Sequence, residues 1–429
     1  MLRLRRLKIN KFRAVKPGTE LTFHDGFNVL LGRNATGKTT LLKLISMALR
    51  FDFSSIRDED FDIEVEAEEL LEGTSNSVTM QVGTRLDDTE LPVNMPGQRQ
   101  RIPWVKAIIR VGHETYDYDE DGSDQRLFKN KTVLHTRRSF GKWGQGLLLW
   151  ACLKIFEAAK ASSRVALPIW KSIKRGSGRA IRPDESLDTF KEDILAADIH
   201  VFIQPGEIIV FSGGGISSFP ELVFVPASLT GQVVSRLAEA PDATALAFSS
   251  SDLPFLDSFI RLCGFESARL EISLLSRFPS DDKGGSGDAT FGEPRFLFTR
   301  KGGKTTIRHE LLSYGQKRLL SLLYYLDASP DHLVADEMVN GLHHEWLEEI
   351  MGKIGDRQTF LSSQNPLLLD YMEFASADDV SRSFVLCELD DLDRLVWRNM
   401  SAEEAASFYS AYEVGIQHVG EILRTTGLW

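Results

Sequence analysis

Phe27-Asn28-Val29-Leu30-Leu31-Gly32-Arg33-Asn34-Ala35-Thr36-Gly37-Lys38-Thr39-Thr40 is the stretch that decides the fold class of this 429-residue chain. Its first five residues follow the turn His24-Asp25-Gly26 and read as a short buried strand. Gly32 to Thr39 fit the phosphate-loop pattern G-x-x-x-x-G-K-[ST]. Residues 39–50 (TTLLKLISMALR) then space their apolar side chains at the helical period. Strand, glycine-rich turn and helix thus follow in the order the pattern needs. The glycines let backbone N–H groups turn toward phosphate oxygens, and the positive end of the helix dipole adds to their pull. Gly32, Arg33, Asn34, Ala35, Thr36, Gly37, Lys38, Thr39 and Thr40 are therefore expected to hold a nucleotide's phosphates. Lys38 is expected at the β and γ phosphates, and the Thr39 hydroxyl on Mg2+.

Upstream of this stretch, LRLRRLKINKF alternates as a strand and residues 19–23 read as another; downstream, 78–82 and 104–111 look like further strands. The second acidic motif is Leu333-Val334-Ala335-Asp336-Glu337, an apolar strand ending in two carboxylates, 298 residues beyond Lys38. In AAA+ machines the two motifs are usually much closer. Asp336 is the expected Mg2+ ligand, directly or through bound water, and Glu337 the group that polarises the attacking water. Leu312-Ser313-Tyr314-Gly315-Gln316 stands 23 residues before Asp336, counted from Ser313, and resembles the LSGGQ signature of ABC ATPases. Ser313, Gly315 and Gln316 open a predicted helix, where a hydroxyl, a backbone N–H and the helix dipole are offered to a second anion.

With these motifs in hand, the chain resembles the SMC/RecF-like branch of ABC ATPases, and within it the OLD-like AAA ATPases of prokaryotic defence systems, over roughly residues 1–115 and 290–400. The resemblance implies an α/β fold, an ABC-type P-loop ATPase head with a compact, mainly helical insertion. The expected division is 1–125 for the N-terminal lobe, 126–280 for the insertion and 281–429 for the C-terminal lobe. It further implies that ATP and Mg2+ are the cofactors and that two copies sandwich them, Ser313 of one copy reaching the ATP of the other. Met338-Val339-Asn340-Gly341-Leu342-His343-His344 is similar to the family's ENGLHP segment, with His344 where a proline is common. Residues 340–343 would form the loop that crosses the dimer interface. Many relatives place a switch histidine where this chain has Gln364. An amide can donate a hydrogen bond but cannot carry a proton, so slow hydrolysis and a nucleotide-gated switch rather than a motor are expected. Gln81 and Gln145 are the candidates for the glutamine that joins core to insertion.

The resemblance also implies a sensor that controls a separate effector, a nuclease or a toxin. The alternative is a RecF-like repair ATPase that closes on DNA. A transporter ATPase is disfavoured because no small coupling domain is evident. A TOPRIM nuclease domain is not expected: Asp391-Leu392-Asp393 imitates its metal motif, but no glycine-glutamate element precedes it.

Composition sets the remaining bounds. With 42% hydrophobic residues the chain can bury a large core. The net charge of -11 conceals a basic stretch, 126–182, with fourteen Lys or Arg against the single acid Glu157. That block could face nucleic acid or an acidic partner, or be a solvated face. Cys152, Cys263 and Cys387 lack metal or disulfide spacing. No apolar run approaches the ~20 residues a membrane helix needs, and MLRLRRLKINKFRAV holds no secretion signal, so a cytoplasmic protein is expected. Asp117, Asp119, Asp121 and Gly122 imitate a calcium loop, but Phe128 stands where a bidentate Glu is needed, and an acidic hairpin is expected instead. GLLLWACLKIFEAAK reads as a buried helix, sustained heptads are absent, and residues 281–288 read as a flexible return to the main domain.

Overall fold

Along β4 (Phe61–Leu71), Phe61, Ile63, Val65 and Ala67 are buried while Asp62, Glu64 and Glu66 are partly exposed. Successive side chains of a strand point to opposite faces, so this alternation gives one face to a core and the other to water. β4 lies in an eight-stranded antiparallel sheet of order β2-β1-β4-β5-β6-β7-β8-β9, and the alternation recurs in β1, β2 and β5 to β8. Its other members are β1 (Leu2–Phe12), β2 (Thr19–Thr22), β5 (Thr74–Leu86), β6 (Arg101–Val111), β7 (Glu114–Asp121), β8 (Asp124–Lys129) and β9 (Thr132–Arg138). The polar face carries cross-strand ion pairs, Arg5 with Glu68 and Arg6 with Glu66 at 3.2 Å each and Lys8 with Glu64 at 3.4 Å. Each is partly solvated and worth at most about 1 kcal/mol.

The computed structural model describes residues 2–71, 74–86, 101–121, 124–138, 180–181, 199–204, 207–212, 226–278, 287–303, 305–329, 331–338, 341–362, 366–415 and 418–425. They fall into two compact units, one of Met1–Ala180, Asp331–Glu337 and Asp356–Trp429, the other of Ile181–Pro330 and Met338–Gly355.

In the first unit a second sheet has the order β10-β17-β18-β3-β19-β20. Here β3 (Phe27–Leu31), β17 (His332–Asp336), β18 (Gln358–Ser362) and β19 (Phe384–Leu389) run parallel, β20 (Leu395–Asn399) turns back antiparallel, and β10 (Ala180–Ile181) lies at the edge. Every residue of β17 and β18 is buried, as central strands of a parallel sheet covered on both faces must be. The helix Lys38–Arg50 sends Leu41, Leu42, Leu44, Ile45 and Ala48 into a core shared with both sheets of this unit. Asp391-Leu392-Asp393 forms the turn between β19 and β20, closed by Asp390 N–H to Arg394 O at 3.0 Å.

The second unit is built on a sheet of order β12-β11-β15-β14-β13, with β16 added to β15. Its strands are β11 (Ile199–Gln204), β12 (Glu207–Ser212), β13 (Ala245–Ser249), β14 (Phe265–Phe278), β15 (Gly287–Arg300) and β16 (Thr306–Arg308). The helix Pro254–Cys263 buries Phe255, Leu256 and Phe259 against it, with the Phe259 and Phe298 rings 5.0 Å apart. Pro254 sets the start of that helix, and Gly264, at φ 69, ends it. The helices Ala227–Glu239, Tyr314–Ala328 and His344–Ile354 complete the unit.

Several sequence expectations are met in detail. The hairpin about Gly302-Gly303 pairs Thr299 with Thr306. Asp117, Asp119 and Asp121 lie on one face of strand β7, which pairs with β8, so they line a hairpin and cannot wrap a cation as a loop would. Within 126–280 the described residues differ from the helical expectation: β8 to β14 stand beside two helices. The reason is legible in β14, where Ala268, Leu270 and Ile272 are buried and Arg269 and Glu271 lie between them, a period of two rather than 3.6. The GLLLWACLKIFEAAK segment, residues 281–286 and most of the basic stretch lie outside the described residues. No helix among the described residues is long and apolar enough to cross a membrane.

Candidate nucleotide-binding site

The carboxyl ends of β3, β17 and β18 lie side by side, the place where open parallel sheets bind ligands. From β3 the chain turns through Gly32 at φ 148, Ala35 at φ 67 and Gly37 at φ 82 before the helix begins. Both glycines are required by packing as well as by backbone angle. A Cβ on Gly32 would stand 2.2 Å from the carbonyl oxygen of Cys387, and one on Gly37 would stand 2.9 Å from Leu395 Cδ1 and 3.0 Å from Trp397 Cζ2. The loop is held from within by Thr36, whose hydroxyl donates to Arg33 O at 2.8 Å, and from β20 by the Trp397 indole, which donates to Thr36 O at 3.0 Å. Arg33, Asn34 and Ala35 are exposed at its tip.

Lys38 is buried, and its ammonium donates to Gly32 O at 2.7 Å and Arg33 O at 3.0 Å. The charge therefore sits inside the loop's own ring of backbone groups. Thr39 and Thr40 lie in the first turn of the helix, and Thr39 Oγ1 donates to Asp336 Oδ2 at 2.6 Å. Ser362 Oγ donates to the other oxygen, Asp336 Oδ1. Glu337 follows at φ 51, a left-handed conformation unusual for a residue with a side chain, and is buried with its N–H on Ser362 O at 3.1 Å. Behind the loop, burial pushes the Cys387 thiol up to about 12, against the opposing effect of the Lys38 charge.

A hydroxyl and a carboxylate 2.6 Å apart at a phosphate-loop helix are hard oxygen donors of the kind Mg2+ takes. The donor set thus fits the metal expected from the motifs. Among the described residues no cluster of three or more His, Cys, Asp or Glu could hold a metal ion.

Ser313, Gly315 and Gln316 form a separate cluster in the second unit. Ser313 caps the helix Tyr314–Ala328 through a reciprocal capping box with Gln316, with Ser313 N–H on Gln316 Oε1 at 3.0 Å. A Cβ on Gly315 would stand 2.6 Å from Gly341 O, and one on Gly341, at φ 78, would stand 2.7 Å from the Tyr314 ring. The signature turn and the segment after Glu337 therefore meet backbone to backbone, with Tyr314 half-exposed beside Ser313. His343 stands at the start of the next helix, and its ring lies 5.1 Å from that of Trp346. Gln364, Val339, Asn340 and Gln145 lie outside the described residues. Gln81 is placed in mid-strand on β5, donating to Asp62 at 2.9 Å, rather than on a loop.

Sequence reasoning did not single out Ser362, Trp397 or the Cys387 carbonyl. A buried serine closing an apolar strand, Thr359-Phe360-Leu361-Ser362, was the available signal for the first. Nothing local distinguishes the other two.

Residues 6–138 match a family model described as "AAA domain", and residues 230–370 match one described as "AAA domain, putative AbiEii toxin, Type IV TA system". These matches support an ATP-binding P-loop ATPase. No curated protein matches the chain. Solved structures similar to it include the SMC head domain from Thermotoga maritima, with 11% identity, 93% of this chain and 99% of that chain covered, and a TM-score of 0.38. They also include the SmcHead bound to the C-winged helix domain of ScpA, with 12% identity, coverage of 92% and 98%, and a TM-score of 0.37. A third is the Smc head domain with an extended coiled coil bound to the C-terminal domain of ScpA from Pyrococcus furiosus, with 12% identity, coverage of 96% and 100%, and a TM-score of 0.36.

Proposed function

We propose that the chain binds and hydrolyses Mg2+-ATP at residues 32–40, Asp336 and Glu337, as an ABC-type, nucleotide-gated switch that closes as a dimer. The observation that carries this reading is the contact of Thr39 with Asp336, which joins the phosphate-loop helix to the acidic strand, with Glu337 as the next residue. Lys38 exchanges its loop carbonyls for β- and γ-phosphate oxygens, and backbone N–H groups of the loop hold the remaining charge. Mg2+, when bound, neutralises charge on the β and γ oxygens and would be held by Thr39 and Asp336. Glu337 orients the attacking water and accepts its proton. Gln364 offers an amide at the switch position, which supports slow turnover.

Ser313, Gly315 and Gln316 serve the ATP of a second copy, and this makes closure depend on nucleotide. A separate effector, a nuclease or a toxin, is the partner this switch controls in an antiphage defence system. The match of 230–370 to a model named for an AbiEii toxin supports that setting over a housekeeping one. The RecF-like reading, in which closure grips DNA, draws on the basic stretch 126–182, and copurification from the host discriminates: a bound effector supports the first, DNA alone the second.

The test uses Lys38→Ala, expected to abolish most nucleotide binding and turnover, and Glu337→Gln, expected to bind ATP and accumulate closed dimers. Sedimentation of Glu337→Gln with Mg2+-ATP, against Glu337→Gln combined with Ser313→Arg, reads the closure. Wild-type ATPase activity in Lys38→Ala removes the site assignment. An assembly state of Glu337→Gln unaffected by ATP removes the sandwich.

A further inference from the structure

We infer that Ser362 is a positioning residue for both carboxylates of the site, Asp336 toward Mg2+ and Glu337 toward the attacking water. This rests on the Mg2+-ATP reading above. β17 and β18 are parallel neighbours with Asp336 directly opposite Ser362, both at the strand ends that face the phosphate loop. Ser362 is fully buried, and a buried hydroxyl is stable only when its hydrogen-bonding groups are engaged. Its Oγ–H donates to Asp336 Oδ1, and its Oγ lone pairs accept from Glu337 N–H at 3.3 Å. Its carbonyl oxygen accepts from the same N–H at 3.1 Å. One residue thus contacts both members of the acidic pair.

Two consequences follow from this arrangement. The Asp336 carboxylate is clamped at each oxygen, by Thr39 on Oδ2 and by Ser362 on Oδ1. Thr39 is itself an expected metal ligand, so among the described residues the Ser362 bond is the one that holds the carboxylate independently of the phosphate loop. Glu337 keeps φ 51, a conformation that persists only where its surroundings over-determine it. The shared N–H bond to Ser362 supplies that restraint. Ser362 also ends the strand that leads directly into residues 363–365, so the same side chain that orients the acids marks the start of the switch segment.

Ser362→Ala removes the hydroxyl with little change in volume, and Ser362→Thr retains it. Affinity for a fluorescent ATP analogue is measured with Mg2+ and in excess EDTA, together with steady-state hydrolysis and melting temperature, for both variants, wild type and Lys38→Ala. Groups that orient a metal ligand typically change metal affinity by about 10–100-fold when removed. In Ser362→Ala the tightening of nucleotide binding by Mg2+ is therefore expected to weaken about tenfold, and half-saturating Mg2+ to rise to match. Affinity in EDTA is expected to stay near wild type, kcat to fall at least about tenfold, and Ser362→Thr to recover most of both. Wild-type Mg2+ dependence and kcat in Ser362→Ala overturn the inference. So does an equal loss of affinity with and without Mg2+, which marks a structural role alone, and so does failure of a folded Ser362→Thr to recover Mg2+ dependence. A wild-type protein that binds no more nucleotide than Lys38→Ala overturns the Mg2+-ATP reading itself, and with it this assignment.

Discussion

Replacing Gly32 and Gly37 in turn by alanine tests the phosphate loop, because the two glycines are constrained differently. At Gly37, φ is 82 and ψ 17, a left-handed conformation that costs a side-chain-bearing residue about 1–2 kcal/mol. The atoms nearest its added Cβ belong to the side chains of Leu395, at 2.9 Å, and Trp397, at 3.0 Å, and the Leu395 methyl can turn away. At Gly32, φ is 148, outside the range an L residue ordinarily adopts, and the strain alone is about 1–3 kcal/mol. The Cβ there falls 2.2 Å from the Cys387 carbonyl oxygen, a backbone atom of a strand whose neighbours Val385 and Leu386 pair with Leu30 and Leu31 of β3. Neither the loop nor β19 can yield without opening that pairing. The Gly32→Ala loss is therefore expected at about 3 kcal/mol or more, against about 1–2 kcal/mol for Gly37→Ala. The larger value is a sizeable part of the 5–15 kcal/mol that a domain has in total. Urea denaturation gives the stability difference, and titration with a fluorescent ATP analogue gives the binding. Gly32→Ala should lose both. A Gly32→Ala protein no less stable than Gly37→Ala refutes the packing argument, and one that retains wild-type affinity refutes the role of the turn.

Trp397→Phe keeps most of the ring against Gly37 but leaves the buried Thr36 carbonyl without its indole donor, so a stability loss of about 1–3 kcal/mol and weaker nucleotide binding are expected; unchanged denaturation and binding curves would refute this. Glu404 is held down at about 2 by the Arg398 guanidinium, below its usual 4.5, so the pair stabilises the fold fully above pH 4.5 and progressively less as pH falls toward 2. With both side chains partly exposed, Glu404→Gln is expected to cost about 1 kcal/mol at pH 7 and less at pH 3.5. Melting temperatures at the two values check it, and an undiminished gap at the lower pH is the contrary result.

Much of the site was written in local sequence. The glycines at 32 and 37, the Lys38-Thr39 pair, Asp336 at the end of an apolar strand and Ser313 at a helix start are short-range patterns, and each is found at the element expected for it. Strand alternation in the N-terminal half was equally legible, because burial on one face alone imposes a period of two. The strands among residues 126–280 went unread although β14 alternates with a period of two, because its pairing with the neighbouring strands β13 and β15 is set by burial that local composition does not state.

Tertiary structure alone decided which groups surround the phosphate loop. Thr39 and Asp336 stand 297 residues apart, Trp397 and Thr36 361 apart, and Asp336 and Ser362 26 apart across two parallel strands. A hydrogen bond of that kind depends on the order in which β18, β3 and β19 assemble, with β3 between two strands from the far end of the chain. Local spacing states which face of a strand or helix a residue occupies. Which strand lies beside it is set by long-range packing, and that is why Trp397 was silent in the sequence and why the strand end at Ser362 acquired its partners only in the folded protein.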